Sequence, residues 1–372
     1  MQSKKILVVS ISVYPEISPR SFRTTELVKE FSKQGHHVSL YTFRDETIHP
    51  PFENEYGITI KNIGFKKNPL SADGSANKFL QFFNRAKRRI LLQLFEYPDI
   101  QLMPLVAKCL SYEYGYDMLI SVAHPFPVHW GVAKAIQKNK QLAQTWVADC
   151  GDPYMGNKAD SFKKFFYFKY VEKWFCRKAN YLTVPTQGSV AAYYPEFKNK
   201  IKVIPQGFNF NDTPVYEGII NNQVPTFAYA GMFIPGIRDP KELLEFLCSI
   251  LQPYKFIIYT AQTPLVEAYV KASANRVEIR TYIPRPQLIF ELSKMDFLVN
   301  FTNGTTTATP SKLIDYALTK RPVLTVDTGK LNKEDVQAFL NADYSKQVVM
   351  PGLEQYNIST IAKQFIELAG SN

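Results

Sequence analysis

The strongest constraint on this chain is a recurring order of short apolar run, polar loop and helical pattern. It is clearest where Asp296-Phe-Leu-Val-Asn-Phe301 leads through a polar stretch into Leu313-Ile-Asp-Tyr-Ala-Leu318. Strands that repeatedly feed helices pair in parallel, with the helices covering the sheet, so the spacing predicts an α/β fold. The same order opens the chain, with a strand at 5–13 and a helix near 19–34 that ends at Gly35, a residue suited to a C-cap. Further strands are expected at 37–41, 117–122, 144–148 and 180–184. A length of 372 residues exceeds what one hydrophobic core usually supports, so two domains are expected. No apolar stretch approaches the roughly 20 residues needed to span a bilayer. The run Lys4-Lys-Ile-Leu-Val-Val-Ser-Ile-Ser-Val13 reads as a buried strand, because no small-residue cleavage site follows it. The four cysteines (Cys109, Cys150, Cys176 and Cys248) are scattered, so neither a disulfide framework nor a zinc site is indicated.

The turn Thr309-Pro310-Ser311-Lys312 lies between the 296–301 strand and the following helix. Thr309 suits an N-cap, and Pro310 suits the first helical position, where its missing N–H costs nothing. The amides of Ser311 and Lys312 would then point out of the helix start. Such an end, with a lysine added, is a ready site for a phosphate group. Asp315, one turn further on, is placed to accept hydrogen bonds from ribose hydroxyls. These residues suggest a nucleotide pocket, and the competing reading is an ordinary capped helix.

Upstream, Phe227-Ala-Tyr-Ala-Gly-Met-Phe-Ile-Pro-Gly-Ile-Arg-Asp-Pro-Lys-Glu-Leu-Leu-Glu-Phe-Leu247 again reads as strand, Gly/Pro-rich turn and helix. With 309–318 and Lys320-Arg-Pro-Val-Leu324, it resembles the nucleotide-binding half of GT-B glycosyltransferases, especially glycosyltransferase family four. The resemblance implies two Rossmann-like domains facing each other across a cleft, with a C-terminal helix returning to the first. On that reading residues 1–205 form the acceptor domain, 206–224 a linker, 225–350 the nucleotide-sugar domain and 351–372 the returning helix. It also implies that Gly231, Arg238, Thr307, Ser311, Lys312 and Asp315 bind the donor. Asp315 stands at the second carboxylate of the family's Glu-x7-Glu pattern, and Thr307 at the first. Met232 falls where the family's donor-loop arginine is usual, Arg238 near the place of its lysine, and Cys150 near that of its catalytic histidine.

In the first half, the loop Tyr14-Pro-Glu-Ile-Ser-Pro-Arg-Ser-Phe-Arg23 lacks the glycines that relatives carry there. Ser18 and Pro19 make a good helix start, and Arg20 and Arg23, one turn apart, are candidates to contact a phosphate of donor or acceptor. They read equally well as surface arginines. Asp149 and Asp152, in Trp146-Val-Ala-Asp-Cys-Gly-Asp-Pro-Tyr154, fall at the C-terminal end of an expected parallel strand, where α/β folds place ligands. Either carboxylate, or His124 at the end of the preceding strand, would orient or deprotonate an acceptor hydroxyl. Asp152 is the preferred candidate, although Gly-Asp-Pro is also a common turn. No G-x-G-x-x-G is present, which argues against a dinucleotide-dependent dehydrogenase.

The net charge of +11 is concentrated in the first 205 residues. Two stretches there, 78–95 and 161–178, interleave bases with aromatics. In the first, Phe79, Phe82, Phe83, Ala86, Ile90 and Leu94 lie on one helical stripe, edged by Lys78, Arg85 and Arg89. Such helices lie on anionic membranes or cover a core with solvated lysines. Without a recognisable nucleic-acid module, nucleic acid ranks well below these as a partner.

The activity expected from the resemblance is retaining transfer of a sugar from a nucleoside-diphosphate sugar, a UDP-sugar by preference, to a hydroxyl acceptor such as a glycan or lipid-linked oligosaccharide. That places the chain in cell-surface polysaccharide or glycolipid synthesis. No cofactor and no metal are expected, since positive side chains and helix dipoles neutralise the leaving diphosphate. The expected location is cytoplasmic, peripheral on the cytoplasmic face of the membrane. A nucleotide-sugar epimerase on the same fold, or a non-catalytic glycan- or partner-binding subunit, stays open.

Overall fold

The computed structural model describes residues 2–65, 78–151, 153–156, 164–210, 213–302, 311–349 and 352–370. The chain forms two compact units, one of Met1–Phe208 with Ile358–Asn372 and one of Asn209–Asn357.

The first unit holds seven strands: β1 (Lys5–Val9), β2 (His37–Thr42), β3 (Thr59–Asn62), β4 (Tyr116–Val122), β5 (Ala143–Asp149), β6 (Tyr181–Val184) and β7 (Ile201–Val203). They pair in parallel in the order β3-β2-β1-β4-β5-β6-β7. β1 sits near the middle and is buried on both faces, which is why it reads as an unbroken apolar run. Ile6 and Val8 pack into one core layer, and Leu7 and Val9 into the other. The strand stops at Val9, short of the expected Val13, because the Ser10 hydroxyl closes a local turn by donating to the Ser12 carbonyl at 2.9 Å. The helix Pro19–Lys33 begins as its residues predict. The Ser18 hydroxyl accepts from the Ser21 amide at 3.1 Å, and Pro19 takes the first turn. Gly35 follows with φ at 84°, a conformation open to glycine.

The second unit holds β8 (Thr226–Ala230), β9 (Lys255–Tyr259), β10 (Val277–Arg280), β11 (Phe297–Phe301) and β12 (Val323–Val326). The order is β10-β9-β8-β11-β12, again all parallel. Phe227, Tyr229, Phe256 and Phe297 fill one face, and Ala228, Ile257 and Leu298 the other. Residues expected as a linker are tied to this unit. The Tyr216 amide donates to Ser293 Oγ at 2.7 Å, and Asn222 Nδ2 donates to Asp296 Oδ2 at 3.1 Å.

In both sheets the chain runs outward from a central strand and then returns to its other side, between β1 and β4 and between β8 and β11. At such a reversal the helices leave towards opposite faces, which opens a crevice at the carboxyl ends of the two strands. Each unit therefore carries one ready ligand position.

The C-terminal helix Ile358–Leu368 belongs to the first unit. Ile361, Ala362 and Phe365 are buried, and the Phe365 ring meets Phe31 edge-on at 6.4 Å. Gly207 permits this seat, since a Cβ there would lie 2.6 Å from Ile358 Cδ1. Phe365→Ala is expected to cost about 3–5 kcal/mol of unfolding free energy in a denaturant titration followed by tryptophan fluorescence.

Candidate functional site

The carboxyl ends of β8 and β11 bring together Gly231, Arg238, Lys312 and Asp315. β8 runs into Gly231, and β11 leads by way of 303–310 to the helix Ser311–Leu318. Tyr316 locks that helix to β8, its hydroxyl accepting from the Ala230 amide at 3.0 Å. Lys312 then reaches back over the strand end, with its ammonium 3.9 Å from the centroid of the Tyr229 ring. Tyr229 is itself held by a hydrogen bond from its hydroxyl to the Met232 carbonyl at 2.9 Å and by stacking on Phe233 at 4.6 Å. Gly231 leaves the space the ammonium occupies. A Cβ at this position would lie 2.6 Å from Lys312 Nζ, and φ at 146° is a conformation that side chains disfavour.

Among the described residues Lys312 has no ion-pair partner. Burial lowers its pKa, and the nearby charge of Arg238 lowers it further, to about 7. Arg238 arrives on a tight turn, its amide donating to the Ile234 carbonyl at 2.8 Å, with Gly236 at φ 74°. Its Nε is buried and has no hydrogen-bond partner among the described residues. The turn is anchored at its far side, where the Asp239 amide donates to Thr328 Oγ1 at 3.1 Å. The next helix, Lys241–Ser249, starts with its first amide on Asp239 Oδ1 at 3.1 Å. Two cations thus converge on one strand end with hydrogen-bonding capacity unspent. This is the electrostatic setting of an anion site.

Asp315, three residues beyond Lys312 and hence on the same helical face, is engaged by a residue that the sequence did not single out. Arg285 donates to Asp315 Oδ1 from Nε at 3.0 Å and from Nη2 at 2.6 Å. Burial nonetheless outweighs Arg285 and raises the carboxyl's pKa. Arg285 is the first residue of the helix Arg285–Leu292, and only its place after Pro284 at a strand-to-helix junction hints at a role. Thr307 lies outside the described residues, as does the side chain of Ser311.

In the first unit, Arg23 and Asp149 are spent on each other. Arg23 Nε donates to Asp149 Oδ2 at 2.6 Å, and Nη2 donates to Oδ1 at 2.7 Å. Both are buried, at 3% and 1% side-chain exposure. Thr183 Oγ1 adds a hydrogen bond to Oδ1 at 2.6 Å, and Arg23 also donates to the carbonyls of Pro205 and Ile204. Burial pulls the Asp149 carboxyl upward, but the charge and hydrogen bonds of Arg23, helped by Arg20 and Thr183, hold it below its ordinary value. The arginine read as a phosphate contact thus fastens the strand end to the chain leaving β7, and the carboxylate read as a base is its counter-ion. Arg20 Nη1 lies 3.7 Å from Asp149 Oδ2, with its guanidinium over Gly151, where a Cβ would lie 1.9 Å from Nη2. His124 is exposed just past the end of β4. Asp152 lies outside the described residues.

Beneath these loops lies a buried polar chain that the sequence also did not reveal. Trp146 Nε1 donates to Ser121 Oγ at 2.8 Å, Ser121 Oγ meets His129 Nδ1 at 2.8 Å, and His129 Nε2 lies 3.6 Å from Cys150 Sγ. Burial, partly opposed by Asp149, drives the His129 pKa down to about 3, so this ring is neutral and structural.

No family model and no curated protein sequence matches the chain. Solved structures do. HepE of Anabaena in complex with UDP aligns over 99% of this chain and 100% of its own, with TM-score 0.64 and 14% identity. The lipopolysaccharide outer core galactosyltransferase WaaB aligns over 99% of both chains, with TM-score 0.59 and 14% identity. A glycosyltransferase from Rickettsia africae aligns over 99% of this chain and 94% of its own, with TM-score 0.59 and 12% identity. The chain has the two-domain α/β architecture of these GT-B glycosyltransferases.

The two kinds of cation should separate in stability measurements. Arg23→Met leaves the buried Asp149 carboxylate only Thr183 and the more distant Arg20, and is expected to cost about 3 kcal/mol. Lys312→Met removes a charge that folding desolvates. Since the folded pKa of Lys312 is about 7 and the unfolded one near the ordinary lysine value of 10.5, the unfolded chain binds more protons between these values. The native charge therefore opposes folding fully below pH 7, and the opposition fades as pH rises towards 10. Lys312→Met is expected to stabilise by several kcal/mol (roughly 3–5) at pH 6, and by less than half of that at pH 9. Urea titrations of both variants at the two pH values check this.

Proposed function

We propose that this protein is a glycosyltransferase that moves a sugar from a nucleoside-diphosphate sugar to a hydroxyl acceptor. The observation that carries the reading is the Lys312 ammonium, desolvated over Tyr229 beside Arg238 and unpaired among the described residues. It stands at a helix start on the carboxyl edge of a parallel sheet. A diphosphate supplies what the pocket lacks, namely two or more negative oxygens that restore the lysine to its charged form and accept from Arg238. The helix Ser311–Leu318 adds its amino-terminal dipole to the same point.

The likeness to HepE, whose structure holds UDP, supports the same reading and makes a UDP-sugar the favoured donor. Asp315, whose Oδ1 accepts both described hydrogen bonds from Arg285, would take the ribose hydroxyls through Oδ2. Charge builds on the diphosphate as the bond to the sugar breaks, so fixed cations on it lower the barrier to transfer. Arg238 and Lys312 thus do the work otherwise assigned to a metal ion. Retention of configuration is part of the proposal and follows from the resemblance to family four. With Asp149 bound to Arg23, the acceptor hydroxyl is left to Asp152 or His124. Arg20, beside Asp149, would contact a phosphate of the acceptor or donor. The acceptor side suits a glycan or a lipid-linked saccharide, and the reaction a place on the cytoplasmic face.

Calorimetric titration with UDP, GDP and ADP tests the site. The wild type is expected to bind one of them selectively. Lys312→Ala should weaken that binding by about 30-fold or more, as for a charge-assisted contact worth roughly 2 kcal/mol. Asp315→Ala should weaken binding of the nucleotide but not of inorganic pyrophosphate. No binding of any nucleotide at millimolar concentration would overturn the proposal. Selective binding with no transfer to any acceptor would favour the binding-subunit reading, and donor turnover without acceptor the epimerase.

A further inference from the structure

The helix Lys78–Phe95 contains no carboxylate along its 18 residues. Helices on globular proteins bury an apolar stripe, yet from 85 to 95 no side chain of this helix is buried. Arg85, Lys87 and Arg88 are exposed, and so are Ile90 at 55% and Phe95 at 57%. Ala86, Leu91, Leu92 and Leu94 are only half-buried and belong to neither core layer of the unit. An amphipathic helix whose apolar side chains are left partly in water has a surface to meet.

The structure joins this helix to the second basic-aromatic stretch through one buried carboxylate. Glu96, fully buried, accepts from Lys164 Nζ at 2.8 and 2.9 Å and from the Tyr154 hydroxyl at 3.0 Å. Phe95 is therefore held near the start of the segment that exposes Phe165 at 37%, Phe166 at 66% and Tyr170 at 60%, with Lys169 exposed beside Tyr170. The one carboxylate between 164 and 178 is Glu172, and it is buried. Two segments distant in sequence thus present aromatic rings and positive charges together, and neither exposes an acidic side chain.

We infer that this face docks on an anionic lipid bilayer, with Phe95, Phe166 and Tyr170 entering the interface and Arg85, Lys87 and Arg88 meeting the headgroups. Aromatic rings favour the headgroup level, and each base near an anionic surface adds to the attraction. A second copy of this face would repel it by like charge, so self-pairing is disfavoured. Among the described residues no helix is long and apolar enough to cross a membrane, so the attachment is to one leaflet. The inference does not depend on the nucleotide site.

Flotation of the full chain on vesicles tests it, using phosphatidylcholine alone and a roughly two-to-one mixture with phosphatidylglycerol. The chain is expected to float with the mixture and not with phosphatidylcholine alone, and to be released by high salt. The Arg85→Glu/Arg88→Glu variant should lower the partition coefficient at least about tenfold. Phe95→Ser/Phe166→Ser should lower it too, with melting temperature and nucleotide binding unchanged in both variants. No flotation on the mixture, equal flotation on both vesicles, or insensitivity to the charge reversal overturns the inference. So does lipid-independent self-association in sedimentation velocity that the same variants abolish. Loss of nucleotide binding elsewhere with flotation intact would count against the transferase alone.

Discussion

Everything in this molecule follows from the requirement that parallel strands be joined by crossovers. A crossover needs a helix, the helix must lie on a sheet face, and both faces of the sheet become buried. That is why β1 and β8 read as solid apolar runs and why Phe227 stacks on both Phe256 and Phe297 across the second sheet. The same requirement concentrates polar function at the strand ends. Once the interior is closed on both sides, the reversal of winding beside β1 and beside β8 is where a ligand can reach backbone amides and helix starts.

The two strand ends use their cations in opposite ways. In the first unit, Arg23 is balanced by Asp149, with Thr183 and two carbonyls completing a buried hydrogen-bonded set. Breaking the bidentate pair would leave a buried charge poorly compensated, which is the property of an ion pair that holds structure. In the second unit, Lys312 and Arg238 approach each other with no carboxylate between them among the described residues. Folding opposes that arrangement, and a bound anion reverses the sign of the interaction. Proteins tolerate such local opposition where a ligand will relieve it. The contrast is what distinguishes a candidate binding site from an ion pair in two regions that look alike in sequence.

Much of this was legible beforehand, for physical reasons that differ by residue. Caps and glycine positions are local, so the Ser18–Pro19 helix start and the Gly35 exit could be read directly. The strand-loop-helix order pointed to a parallel topology, whereas placing Gly231 and Lys312 in one site came from the resemblance to GT-B enzymes. What stayed hidden was partnership across long separations. Nothing near Arg23 announces a carboxylate 126 residues away, and nothing near Asp315 announces Arg285. The basic-aromatic stretches showed the same limit. Their composition was evident, but not that Glu96 would bring them together or that no side chain from 85 to 95 of the first would be buried.

The central claim is that Lys312 is held near neutrality until an anion restores its charge. Titration calorimetry of UDP at pH 8 in buffers of differing ionisation enthalpy measures the protons exchanged on binding. The account predicts net proton uptake approaching one per nucleotide in the wild type, and loss of that uptake in Lys312→Met. Equal proton exchange in the two proteins would contradict it, because Lys312 would then be charged before the ligand arrives.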